Sequence, residues 1–357
     1  MIVSVTIKGQ FTMNKKAVAT GFFLLSFLFP LRASAASFSN LYVFGDSLSD
    51  PGNVFNATGG AIPPSPPYFE GRFSNGPLWV EYLAQDLGLE VNPVGSVDPT
   101  EGINFAFAGA TTGGENTISL TFPQVPGLPG LQQQISFFTN FVPVADPNAL
   151  YIVWAGANDY IPTDGTFVPF EDPDTTIANI SQAVTSLANV GAQNIMVVNL
   201  PDLGQTPVSL NTQESDELSA LVDAHNAALE ELSESFDPAL NVIFFDVSEA
   251  IDQIFAAPQE FGFTNVTTPC LLVQSCLANP DEQNQYLFWD DRHPTTAAHE
   301  YVGDLALAAL NAEDPAGVPE PTSAISLLAL GALGSGSLLK RKKREQSHQV
   351  AVKTNLM

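Results

Sequence analysis

Five short runs in the middle of this chain, 41–44, 103–108, 150–154, 194–199 and 242–246, are apolar along their length. A strand with one wet face alternates apolar and polar residues; an unbroken apolar run needs cover on both faces, as in a parallel sheet. The stretches between them carry a different period. Leu78, Tyr82 and Leu83 in 77–87, and Ile177, Ile180, Val184 and Leu187 in 175–190, stand at helical spacing. The clearest stripe runs through 211–235, with Leu218, Leu221, Val222, Leu229 and Leu232. Strands alternating with amphipathic helices predict an α/β domain, a parallel sheet with helices on both faces. Gly- and Pro-rich pieces at 59–67 and 123–130 read as loops. With 357 residues, no internal repeat and no sign of a second core, one large domain is expected.

The charge shows where that domain ends. The chain carries −26 overall, but between residues 36 and 318 there are 36 acidic side chains and only Arg72 and Arg292 as basic ones, a balance of −34. Such an acidic body excludes a nucleic-acid backbone as partner, and 45% hydrophobic residues exclude a disordered chain. Basic residues collect at the two ends. Met13-Asn14-Lys15-Lys16, a short apolar run and Ala33-Ser34-Ala35 have the make-up of a secretory signal peptide over 1–35, with Met13 a second possible start. A buried N-terminal helix is the alternative. At the other end, Val318-Pro319-Glu320-Pro321, an apolar stretch to Leu339 and Lys340-Arg341-Lys342-Lys343-Arg344 fit a transmembrane segment with a cytoplasmic basic stop. The segment 319–344 resembles the PEP-CTERM sorting signal of Gram-negative bacteria, although a tail, 345–357, continues past the basic cluster. A plain membrane anchor is the alternative. Together the two ends imply export by the Sec machinery, transient anchoring, an exosortase-type protease as partner, and a final place in the cell envelope or outside it. In that oxidising setting Cys270 and Cys276 are expected to close a small disulfide loop rather than hold a metal.

Ligands of an open parallel sheet bind beyond the carboxyl ends of its strands. Those ends carry Gly45-Asp46-Ser47-Leu48, then Ala108-Gly109-Ala110, then Gly156-Ala157-Asn158-Asp159; near the end of the body stands Asp290-Asp291-Arg292-His293. A serine, a histidine and a carboxylate are the parts of an acyl-transfer site. Serine needs a base to take its proton, and the base needs an acceptor on its other nitrogen. No G-x-S-x-G occurs, so the α/β-hydrolase nucleophile elbow is absent. Taken singly, each residue has another reading. Ser47 can cap a helix, Asp46, Asp50 and Asn53 can brace their loop, Asp291 rivals Asp290, and His225 and His299 sit in helical stretches where a structural role is expected.

The four blocks, in this order over 39–311, resemble the GDSL esterase/lipases of the SGNH hydrolase family; Gly71-Arg72-Phe73-Ser74-Asn75-Gly76-Pro77-Leu78-Trp79 resembles its secreted, plant-like branch. The resemblance implies a flavodoxin-like three-layer α/β/α sandwich. It also implies a catalytic set of Ser47, Asp290 and His293, and an oxyanion hole made by the Ser47 and Gly109 N–H groups and the Asn158 amide. A glycine at 109 is expected to leave room for the substrate. No metal or cofactor is expected, and the chain is expected to act as a monomer on a small ester, lipid or acylated glycan. Three functions compete: an exported esterase or lipase, a carbohydrate O-acetylesterase on envelope or extracellular polysaccharide, and a surface-binding protein without catalysis.

Overall fold

The computed structural model of the chain describes residues 37–95, 101–161 and 167–312. The segments read as signal peptide, sorting signal and tail (1–35 and 319–357), like the outer boundaries drawn at 36 and 318, lie outside the described residues. Among the described residues no helix is long and apolar enough to cross a membrane.

The strands are β1 (Leu41–Gly45), β2 (Val91–Pro93), β3 (Gly102–Asn104), β4 (Leu150–Trp154), β5 (Asn194–Val198) and β6 (Asn241–Phe245). They form one sheet in the order β2-β3-β1-β4-β5-β6, with every pairing parallel. The main helices are α1 (Trp79–Leu87), α2 (Leu131–Phe141), α3 (Asp174–Asn189), α4 (Ser215–Ser235), α5 (Val247–Ala256) and α6 (Thr296–Ala312). Alternate residues of each strand enter opposite layers, as the twofold period of a strand requires. Leu41, Val43, Ile152, Met196 and Ile243 pack with Trp79 and Leu83 of α1 and Val302 of α6. Tyr42, Phe44, Tyr151, Val153 and Val197 pack against Leu131 and Phe138 of α2 and Val184 of α3. This is the α/β/α sandwich with a parallel sheet expected from the apolar runs.

The details differ from the expectation in three places. The run at 103–108 is regular strand only to Asn104; beyond it the Phe105 and Phe107 N–H groups still donate to the Val43 and Gly45 carbonyls, while the Asn104 side chain accepts from the Ala106 N–H and donates to the Ser49 carbonyl. The long helix begins at Ser215, four residues later than its stripe suggests; before it, Asn211 takes a left-handed φ of 64°. Strand β2 and helices α2 and α5 are additional elements. In topology the chain passes from β1 to β2 at the sheet edge, comes back to β3 beside β1, and then crosses to the other side of β1 to build β4, β5 and β6 in turn. The crevice at that reversal, beside the carboxyl ends of β1 and β4, is where such a sheet can hold a ligand.

Candidate active site

Strand β1 must come close to β4 for its following loop to enter this crevice. A Cβ on Gly45 would stand 2.1 Å from the Trp154 carbonyl oxygen, so only glycine fits there. The loop after Gly45 is held from several sides. Gln134 of α2 both donates to the Gly45 carbonyl and accepts from its N–H. Asp46 is buried and accepts from the Leu48 N–H at 3.1 Å. Asp50, also buried, accepts from the backbone N–H groups of Gly52, Asn53 and Val54, and from Ala108 across the crevice. The Asn53 amide donates to the carbonyls of Asn104 and Ala106. Asp50 and Asn53 are therefore loop braces, the role their place after Ser47 suggests, and they also tie the Ser47 loop to the Gly109 loop.

Ser47 leaves this frame facing the segment before α6. His293 Nε2 lies 2.9 Å from Ser47 Oγ, and His293 Nδ1 lies 2.7 Å from Asp290 Oδ2. The other carboxylate oxygen of Asp290 accepts from the backbone N–H groups of Arg292 (2.9 Å) and His293 (2.7 Å). Burial alone would raise the Asp290 pKa, but the facing His293 and these two amides bring it down to about 2. Asp291, the rival carboxylate, is instead exposed and stands 3.7 Å from Arg292 Nε. The arrangement can pass a proton from Ser47 to His293 while Asp290 fixes the ring and balances its charge.

The groups expected to face an oxyanion also gather here. Asn158, on the short turn after β4, donates to Asp46 Oδ2 and to the Ala110 carbonyl, both at 3.2 Å. Its amide thus stands between the loop of Ser47 and the loop of Gly109. Gly109 has φ 77°, and a Cβ there would meet the side chains of Ile118, Thr117 and Asn116 at 2.9–3.0 Å. The glycine is thus required by its left-handed backbone and by the turn packed behind it, rather than by room for a substrate. Asp46, whose pKa burial pushes up to about 6 against the Leu48 amide and His293, links this group to the nucleophile loop.

His225 and His299 take no part in the chain of hydrogen bonds to Ser47. His225 lies buried beneath Gly156 with its Nδ1 2.9 Å from the Tyr160 hydroxyl, and burial lowers its pKa to about 4. His299 is buried at the start of α6, and burial together with the charge of His293 lowers it to about 3. A cavity opens beside Ser47 and His293, walled by Leu48, Ile161, Leu203, Ile251, Phe255 and Phe288 among other apolar side chains. Cys270 and Cys276 are joined in a disulfide that packs with Tyr286 and Trp289, directly before Asp290. Among the described residues no group of three or more His, Cys, Asp or Glu could hold a metal ion. Sequence reasoning missed Tyr68, whose hydroxyl donates to Asp290 Oδ2 at 2.7 Å from a loop 222 positions away. No local pattern marks it.

Residues 41–306 match the model of the GDSL-like lipase/acylhydrolase family. The chain belongs to that family. Among its relatives, the phosphatidylcholine-sterol acyltransferase of Aeromonas hydrophila is 29% identical over 318 residues, covering 76% of this chain and 90% of the relative. The thermolabile hemolysin of Vibrio parahaemolyticus is 30% identical over 295 residues, covering 76% of this chain and 64% of the hemolysin. Among solved structures, a GDSL-like lipase from Parabacteroides merdae aligns with a TM-score of 0.45 and 13% identity, covering 77% of this chain and 96% of that one. As a member of the GDSL family the chain is a serine ester hydrolase.

Proposed function

We propose that this chain is an exported esterase or lipase that cleaves carboxylic esters with an apolar acyl group, using Ser47, His293 and Asp290. The observation that carries the reading is the unbroken line of short hydrogen bonds from Ser47 Oγ through His293 to Asp290. Ser47 Oγ attacks the ester carbonyl carbon as His293 Nε2 takes its proton. The carbonyl oxygen becomes an oxyanion, which accepts from the N–H groups of Ser47 and Gly109 and from the Asn158 amide. Collapse breaks the bond to the leaving alkoxide, and His293 returns the proton to it. Water then gives a proton to His293 and attacks the acyl-serine; the acid leaves and Ser47 regains its proton.

The apolar cavity beside Ser47 supports a carbon chain in preference to the acetyl group of a glycan. Each methylene buried there contributes ~0.8 kcal/mol. A panel of p-nitrophenyl esters tests the reading. kcat/KM should rise from acetate to the medium-chain acyl esters and vanish in Ser47→Ala. Undiminished turnover in Ser47→Ala overturns the site, and a preference for acetate overturns the acyl specificity. The composition of the two ends supports export, processing of the tail by an exosortase-type protease, and a place in the envelope or outside the cell. N-terminal sequencing of the secreted protein, with cleavage after Ala35, checks the export step.

A further inference from the structure

The stretch Gly71–Trp79 is the one sequence motif to which the reaction above assigns no task. In the structure its first part, 71–76, belongs to a strap, residues 59–76, that lies across the histidine segment, and its last residue, Trp79, opens α1. Its base is fixed by Arg72, which donates twice to Glu81 of α1, at 2.8 and 2.6 Å. From there Ser74 Oγ donates to the Pro294 carbonyl at 2.9 Å, and Asn75 Oδ1 accepts from the Thr296 N–H at 2.8 Å. The two bonds grip the chain just after His293. Phe73 places its ring 5.1 Å from the His293 imidazole. Tyr68 lies between Phe73 and Trp289, edge to face with both at 6.0 and 6.4 Å, so its ring has little freedom.

Held in this way, the Tyr68 hydroxyl donates to Asp290 Oδ2 at 2.7 Å, the oxygen that also faces His293 Nδ1. With the two backbone amides on Oδ1, the Asp290 carboxylate accepts four hydrogen bonds and has one orientation. We propose that Tyr68 is a positioning residue for catalysis: through Asp290 it sets the direction of the His293 ring and limits how much negative charge the carboxylate presents to it. This rests on the reading of Ser47, His293 and Asp290 as the reacting set.

The chemistry has a definite sign. A phenol donating to a carboxylate shares its charge, so loss of the hydroxyl leaves Asp290 more able to stabilise protonated imidazole. The other groups around the pair are Asp46 on the nucleophile loop, His299 on α6, and the neighbouring Asp291 and Arg292. None of them is altered by a change at Tyr68 to phenylalanine. Burial and the nearness of Asp290 raise the phenol's own pKa, so the hydroxyl stays a donor across the working range.

The test is Tyr68→Phe, which keeps the ring and its packing. The expected result is a fall in kcat of about tenfold, with KM little changed, an acidic limb of kcat/KM moved to higher pH, and a melting temperature close to the parent's. A Tyr68→Phe enzyme with unchanged kcat and an unmoved acidic limb overturns the proposal, as does a loss of activity that only follows a fall in melting temperature. Ser47→Ala assayed alongside separates the two claims. If it is inert while Tyr68→Phe behaves like the parent, only the role of Tyr68 fails; if it remains active, the reading of the site itself fails.

Discussion

Asp290 sits where a carboxylate would ordinarily lose its charge, and keeps it because every lone-pair direction finds a donor. Removing the charge while preserving shape leaves the Nδ1 of His293 facing an amide, which can select the wrong tautomer. Asp290→Asn should therefore lose activity by roughly 10⁴-fold with the fold intact, whereas Asp291→Asn should stay within a fewfold. Steady-state rates of the two purified variants check this, and equal losses would remove the distinction drawn between the neighbours. The choice of Asp290 was legible from its offset of three residues from His293. The contribution of Tyr68 was not, because nothing in a linear sequence ties it to Asp290. Gly109 shows a subtler gap: its identity was legible, but its reason, a φ of 77° with Ile118, Thr117 and Asn116 packed behind it, is tertiary.

Among the elements, long buried ones were readable and short or hybrid ones were not. β4 is buried at every residue and its bounds follow directly from its apolar run. β2 is three half-buried residues ending in proline, too short to carry a period. α2 buries Leu131, Ile135 and Phe138 but leaves Phe137 and Phe141 exposed, so its stripe is blurred. α5 follows β6 across one residue, Asp246, whose side chain accepts from the Glu249 N–H and caps the helix; the apolar run passes through both. The disulfide loop is an element in its own right. Its Cys270 and Leu271 N–H groups donate to the carbonyls of Phe288 and Trp289, so it stiffens the approach to Asp290. Replacing both cysteines with alanine should cost about 2 kcal/mol for so small a loop, measured by denaturant unfolding. kcat should fall with it, because Trp289 loses its backing. No change in either quantity would mean that the loop is held by packing alone.

At the scale of the molecule, the −34 carried by residues 36–318 works against compactness. Added NaCl should raise the melting temperature by screening that repulsion; a melting temperature indifferent to salt would mean that the charges lie too far apart to matter. Acid acts through particular groups. His225 and His299, held neutral to about pH 4 and 3, destabilise the fold as pH drops below the ordinary imidazole range, because the unfolded chain takes up protons that the native state refuses. Asp46 and Asp50, both raised to about 6 by burial, act in the opposite sense, since the native state takes their protons first. Between pH 6 and 4 the two pairs offset one another. Below 4 the aspartates are protonated in both states, while His299 and Asp290, the latter lowered to about 2, still bind protons more readily in the unfolded chain. Stability should therefore be shallow in pH from 6 to 4 and fall steeply from 4 towards 2, at about 1.4 kcal/mol per pH unit for each such proton. Unfolding midpoints across that range test it.

The central claim, that Ser47 is the nucleophile of this ester hydrolase, has a direct measurement: treat the folded protein with a fluorophosphonate and locate the adduct by peptide mass mapping. A single adduct on Ser47, absent from Ser47→Ala and strongly slowed in His293→Ala, is the predicted result. An adduct on any other serine, or none on the folded and ester-hydrolysing protein, would contradict it.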